Sequence, residues 1–173
     1  MSDSTQSTPS LLEPWLRGTL TEIPAVPRAV LHALELAYID LHHYVGILSD
    51  AQLNARPCGL ASIAFHLRHI ARSLDRLLTY AEGRPLSTEQ ILQHKSELDS
   101  IATRAELFSE LDPALTTSST RIRQLASADL DQPRAVGTRQ LPSTLGGLLV
   151  HVADHTQRHV GQAITTSKIV SAS

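Results

Sequence analysis

Thr144-Leu-Gly-Gly-Leu-Leu-Val-His-Val-Ala-Asp-His-Thr-Gln-Arg-His-Val-Gly-Gln162 decides how this chain is read. Pro142 stops what precedes it, and Ser143 or Thr144 is placed to cap a new first turn. Leu145, Leu148, Val152, His155, His159 and Gln162 recur at steps of three and four, which puts them on one stripe of a helix. The stripe begins apolar and ends in imidazoles, with His155 and His159 one turn apart. A neutral imidazole carries one donor and one acceptor, and burying either unpaired costs free energy. A divalent metal satisfies two such rings, because ring nitrogens at i and i+4 converge on one ion. A hydrogen-bonded pair of core histidines also satisfies them. If a metal is bound, a third ligand must come from another helix.

The rest of the chain bounds the problem. Its 173 residues, 42% of them hydrophobic, suit one globular domain with a proper core. A net charge of −2 gives no general attraction to nucleic acid or anionic membrane. No apolar run approaches the ~20 residues of a membrane span, and the start lacks the pattern of a secretion signal. Lone Cys58 excludes an intrachain disulfide framework. Together these point to a cytoplasmic protein. Nine histidines beside only three tyrosines, two phenylalanines and one tryptophan are the compositional oddity.

Residues 1–20 read as a Ser/Thr-rich mobile tail followed by a docking arm that holds Trp15, and residues 167–173 as a small-residue tail. Residues 21–166 form the body. Val30, Leu34, Ala37, Leu41, Val45 and Leu48 give a first helix its buried stripe; His42 and His43 lie beside it. Ser62 caps a second helix to about Glu82, with Ile63, Leu67, Ile70, Leu74 and Leu77 inward. Residues 86–102 are a connection with a short helix near Thr88 to His94. Thr103 with Glu106 resembles a capping box for a third helix, which Pro113 should kink or split. Residues 128–142, with Pro133, Gly137 and Pro142, read as a long connection, and no strand alternation appears. Four amphipathic helices around one core make an all-α four-helix bundle, which builds metal sites from facing helices. The second helix offers His66 and His69. By helical wheel alone, His66 lies nearer the core edge and is the better choice.

Ser62-Ile-Ala-Phe-His-Leu-Arg-His-Ile-Ala71 followed by His155-Thr-Gln-Arg-His-Val-Gly-Gln162 resembles the DinB-like superfamily, which includes the YfiT-type proteins. The resemblance covers roughly residues 20–165. It implies an up-down-down-up four-helix bundle with a divalent metal, zinc or nickel, on three histidines. One ligand lies seven residues after the Ser/Thr cap, which here is His69. The others are the His-x-x-x-His before Gly-Gln, here His155 and His159. His66 stays in reserve, and His151 is expected beside the site rather than in it.

Family resemblance further implies transfer of a low-molecular-weight thiol, the co-substrate, to a small electrophilic molecule. A metal-dependent hydrolase is the alternative enzyme. Hydrolysis normally also wants a general base, and none stands out: Asp154 flanks His155 but points elsewhere. A non-enzymatic metal-stabilised stress or sensor protein is a third reading. Spare apolar residues such as Phe65, Leu149 and Val150 make a homodimer a candidate assembly. The Trp15 arm and residues 128–142 are candidates to shape the substrate pocket.

Overall fold

The computed structural model describes residues 12–97 and 101–172. The expected mobile tail, residues 1–10, lies outside them. Its elements are α1 (Ala25–Tyr44), α2 (Asp50–Asn54), α3 (Ile63–Ala81), α4 (Thr88–Lys95), α5 (Arg104–Leu125), β1 (Pro133–Val136), β2 (Leu141–Thr144) and α6 (Leu145–Ala172). The long helices α1, α3, α5 and α6 form the bundle, with α6 packed between α1 and α3, and α5 closing the ring. Their apolar stripes make one core, in which Leu34, Leu41, Leu67, Leu74, Leu111 and Ile122 are sealed from solvent.

Side-chain bonds between helices give the directions. His42 meets Asp112, and Arg104 at the start of α5 reaches the carbonyl of Gly46 beyond the end of α1, so α1 and α5 are antiparallel. Arg72 bonds Glu110 while Arg121 bonds Asp75 and Glu82, so α3 and α5 run parallel. Gln157 donates to the Ala33 carbonyl, and Gln52 to that of Val170, so α1 and α6 run parallel. The order is up-down-down-up. Two parallel neighbours in sequence need a crossover, and α4 lies in it.

Local chemistry sets the helix starts. Ser49, Ser87 and Thr103 each complete a capping box with Gln52, Gln90 and Glu106, and the Ser62 hydroxyl accepts from the Phe65 N–H. Pro113 neither splits nor ends α5. It sits on the exposed face, where the carbonyl it deprives of a partner can turn to water.

Three expectations are corrected. Residues 128–142 are not a plain connection: β1 and β2 form an antiparallel hairpin, with Pro133 opposite Thr144 and Val136 opposite Leu141. Strands of four residues that carry two prolines show too little alternation to be read. The hairpin feeds α6 directly, and Gly146 lies so close to Leu130 that a Cβ there would stand 3.2 Å from both its Cβ and its carbonyl oxygen. The last helix runs on to Ala172 where a tail was expected from residue 167, because Ser167 and Val170 continue the buried face. Leu149 is not a spare surface residue but fully buried, while Val150 is 55% exposed.

Candidate metal centre

Because α3 and α6 are antiparallel, positions along α3 meet positions along α6 in reverse order. His69 faces His155 with Nε2 2.9 Å from Nε2, and His66 faces His159 with Nδ1 3.0 Å from Nδ1. His69, His155 and His159 each offer one nitrogen, and the three lie within 4.8 Å of one another. All three are half-buried, so the cluster reaches solvent. His66 is 5% exposed and touches the cluster only through His159 and the edge of Phe65. The ring of Phe65 stacks on His69 at 5.3 Å and forms an apolar wall.

The buried face of α6 does not follow the expected stripe. It passes through Leu145, Leu148 and Val152 and then through Thr156, Val160, Ala163 and Ser167. The expected stripe, Leu145 to Gln162, covers 17 residues in five steps, which averages below 3.6 and drifts around a straight helix, whereas the observed face keeps close to the helical period. His155 and His159 therefore lie at the rim of the core, turned toward α3, and Gln162 is exposed.

The sequence reading missed Glu97. Its carboxylate is 3% exposed, with Oε2 2.6 Å from His69 Nδ1 and Oε1 accepting from Arg76 Nη1 at 2.5 Å. It comes from the crossover, which must run back along α3 to start α5 beside it. An acidic residue on a segment that returns past the ligand helix was the available signal. The carboxyl is disfavoured as an anion by burial, but His69 and Arg76 outweigh this and hold it below the usual carboxylate range.

The ring environments suit coordination. Burial first, and then the neighbouring His69, push His66 and His155 down to about 4 and His159 down to about 3. Metal ligands must be unprotonated, and these rings are neutral at neutral pH. An ionised carboxylate only accepts, so His69 donates from Nδ1, which leaves Nε2 as the nitrogen able to offer a lone pair to a metal. Two nitrogens bound tetrahedrally to one zinc stand about 3.3 Å apart, near the spacing of His69 and His155. Three neutral imidazoles form a donor set for a borderline divalent ion.

Other candidates lie elsewhere. His42 pairs with Asp112 on the α1–α5 side, and the exposed Cys58 sits in the α2–α3 connection. His151 stands 5.4 Å from His155, centroid to centroid, outside the triangle. Asp154 pairs with Arg158. The hairpin lines a cavity of about 940 Å³ with Tyr80, Leu86, Ile91 and Arg134, and Trp15 lines another with Arg28, Ala29 and His32; neither includes the three histidines. The expectation that these segments shape the metal pocket therefore finds no support.

The DinB superfamily profile matches residues 33–163, most of the chain and both halves of the histidine cluster. The chain belongs to the DinB superfamily. Solved structures share its fold at low identity. A conserved protein from Enterococcus faecalis matches with a TM-score of 0.69 and 19% identity over 87% of this chain and 99% of its own. YfiT from Bacillus subtilis, described as a probable metal-dependent hydrolase with an unusual four-helix bundle topology, matches with a TM-score of 0.62 and 17% identity over 84% of this chain and 87% of its own. No curated protein sequence matches the chain. Within this DinB-type bundle no described helix is long and apolar enough to cross a membrane.

Proposed function

We propose that the chain is a metal-dependent enzyme that transfers a low-molecular-weight thiol to a small electrophilic molecule, with zinc or nickel held by His69, His155 and His159. Such an ion supplies a Lewis-acidic open position that lowers the pKa of a water or thiol bound there. The observation that carries the reading is the engagement of Glu97. The one described carboxylate in contact with the three histidines already accepts from His69 and Arg76 and is not free to act as a base. A thiol with a pKa of ~8.5 becomes a nucleophile near neutrality once its pKa is lowered, and needs no further base. Hydrolysis asks more of the protein: even with a metal-activated water it wants a group to orient that water and an acid for the leaving group. The chain's own residues bind the ion, wall the site with Phe65, and leave the rims of His155 and His159 open for a small molecule. A reducing cytoplasm supplies such thiols, in keeping with an exposed lone cysteine.

Hydrolysis is the second reading, supported by the description of YfiT. The metal-loaded protein should be assayed with bacillithiol, mycothiol, glutathione and coenzyme A against a panel of electrophiles, and separately against amides and esters. Thiol titration should perturb the visible spectrum of the cobalt-substituted protein. If no thiol perturbs it and amides or esters are cleaved in a metal-dependent way, the hydrolase reading replaces the transferase. Turnover of neither kind leaves a non-enzymatic metal-stabilised protein. A homodimer belongs to the same proposal, with Val150 available on α6; light scattering that returns only the 18.8 kDa mass at high concentration removes it.

A further inference from the structure

We infer that Glu97, carried by the crossover between α3 and α5, is a positioning residue: it holds His69 in the tautomer that aims the Nε2 lone pair at the cluster, and Arg76 anchors it there. The inference rests on His69, His155 and His159 being the metal ligands.

The bundle core does not explain Glu97. A buried carboxylate is costly unless both oxygens are satisfied. Here they divide the work: Oε2 takes the His69 Nδ1 proton at 2.6 Å, and Oε1 takes the Arg76 guanidinium at 2.5 Å. His69 and Arg76 are seven residues apart and share one face of α3. Arg72 and Thr79 lie on that same face. Arg72 donates to the Gln93 carbonyl at 3.0 Å and to Ser96 Oγ at 3.2 Å, and Gln90 donates to Thr79 Oγ1 at 2.9 Å and Asp75 Oδ2 at 2.6 Å. A polar stripe three turns long thus sits on a helix whose opposite face is core, and every member of it engages the crossover. The stripe fixes the path of the segment that delivers Glu97. A ligating histidine that donates its remote N–H to a carboxylate has its ring orientation and tautomer set, and its basicity raised. His155 and His159 have no carboxylate among their described hydrogen-bond partners, so His69 is the pre-set member of the triangle.

Long-range nitrogen–proton correlation spectra of the metal-free protein test this directly. His69 is expected as the Nδ1–H tautomer in the wild type and as a mixture in Glu97→Gln. Competition for zinc against a chromophoric chelator is the second measurement. Glu97→Gln is expected to weaken zinc binding ~10- to 100-fold, the usual effect of removing such a partner. Arg76→Met should weaken it in the same direction and by less. Arg72→Met cuts the crossover's bonds to Gln93 and Ser96 and the bond to Glu110, and should lower stability and weaken zinc binding by less than Glu97→Gln does. A wild-type His69 in the Nε2–H tautomer overturns the inference, as does a Glu97→Gln protein that binds zinc like the wild type while His155→Ala loses it. If His155→Ala and His159→Ala both keep the ion, the ligand assignment itself has failed and the positioning role falls with it.

Discussion

Nδ1 of His66 lies 3.0 Å from Nδ1 of His159, so one ring donates to the other. With His69, His155 and His159 as the proposed ligands, this contact casts His66 as a support for one of them. His66→Ala is expected to keep one metal per chain and to weaken binding by ~10-fold, within the range for loss of a supporting partner. His69→Ala, His155→Ala and His159→Ala should each lose the ion on desalting. Elemental analysis of the four variants decides; loss in His66→Ala with retention in His69→Ala would exchange their roles.

Acid should destabilise the metal-free protein before it touches ordinary carboxylates. Burial, and then the neighbouring His69, hold His66 and His155 at about 4 and His159 at about 3, below the ordinary histidine value of 6.5. Between roughly pH 6.5 and 4 the unfolded chain binds protons there that the folded chain refuses, so stability falls as pH falls through that window. Above it neither state is protonated and the effect is absent. Urea midpoints of the apoprotein should decline from pH 7 to pH 5, with a smaller decline in the triple variant His66→Gln, His155→Gln, His159→Gln. A flat profile in the wild type would show that the rings are not desolvated as described.

Gly161 follows the second histidine of the His-x-x-x-His pair, and a Cβ built there meets nothing within 4 Å. Packing therefore does not require glycine in the middle of α6. Gly161→Ala is expected to stabilise the protein by about 0.5–1 kcal/mol through helix propensity. If activity drops while stability rises, the exposed face of α6 at Gly161 takes part in function.

Arg121 ties α5 to α3. Its Nε and Nη2 reach the two oxygens of Glu82 at 2.6 and 3.0 Å, and Nη1 reaches Asp75 at 2.7 Å. Burial disfavours the Glu82 carboxylate, but Arg121 and then Arg84 outweigh it and lower its pKa. Asp75 is half-exposed and its share is screened, so Arg121→Met should cost about 2 kcal/mol by urea unfolding. Zinc binding should not change, since the network does not touch the histidines.

The helices were legible because their information is local. Val30, Leu34, Ala37 and Leu41, or Ile63, Leu67, Ile70 and Leu74, repeat at helical spacing, and all are buried where that spacing places them. Ser62 and Thr103 cap where a hydroxyl followed by the right neighbours can cap. The DinB family was legible from two short motifs.

The tertiary structure decided the rest. The helical wheel favoured His66, and it is indeed the more buried ring; but burial measures depth in the core, whereas meeting His155 depends on which helix lies across and in which direction it runs. Glu97 joins His69 from 28 residues away along a crossover that has no periodic signal. The β1–β2 hairpin is too short for its alternation to rise above its prolines, and pairing across its turn created it. Patterns at three and four residues are written in the chain because each turn of helix buries its own face. Contacts between segments, the Glu97–His69 bond among them, exist only once the bundle has fixed which faces meet.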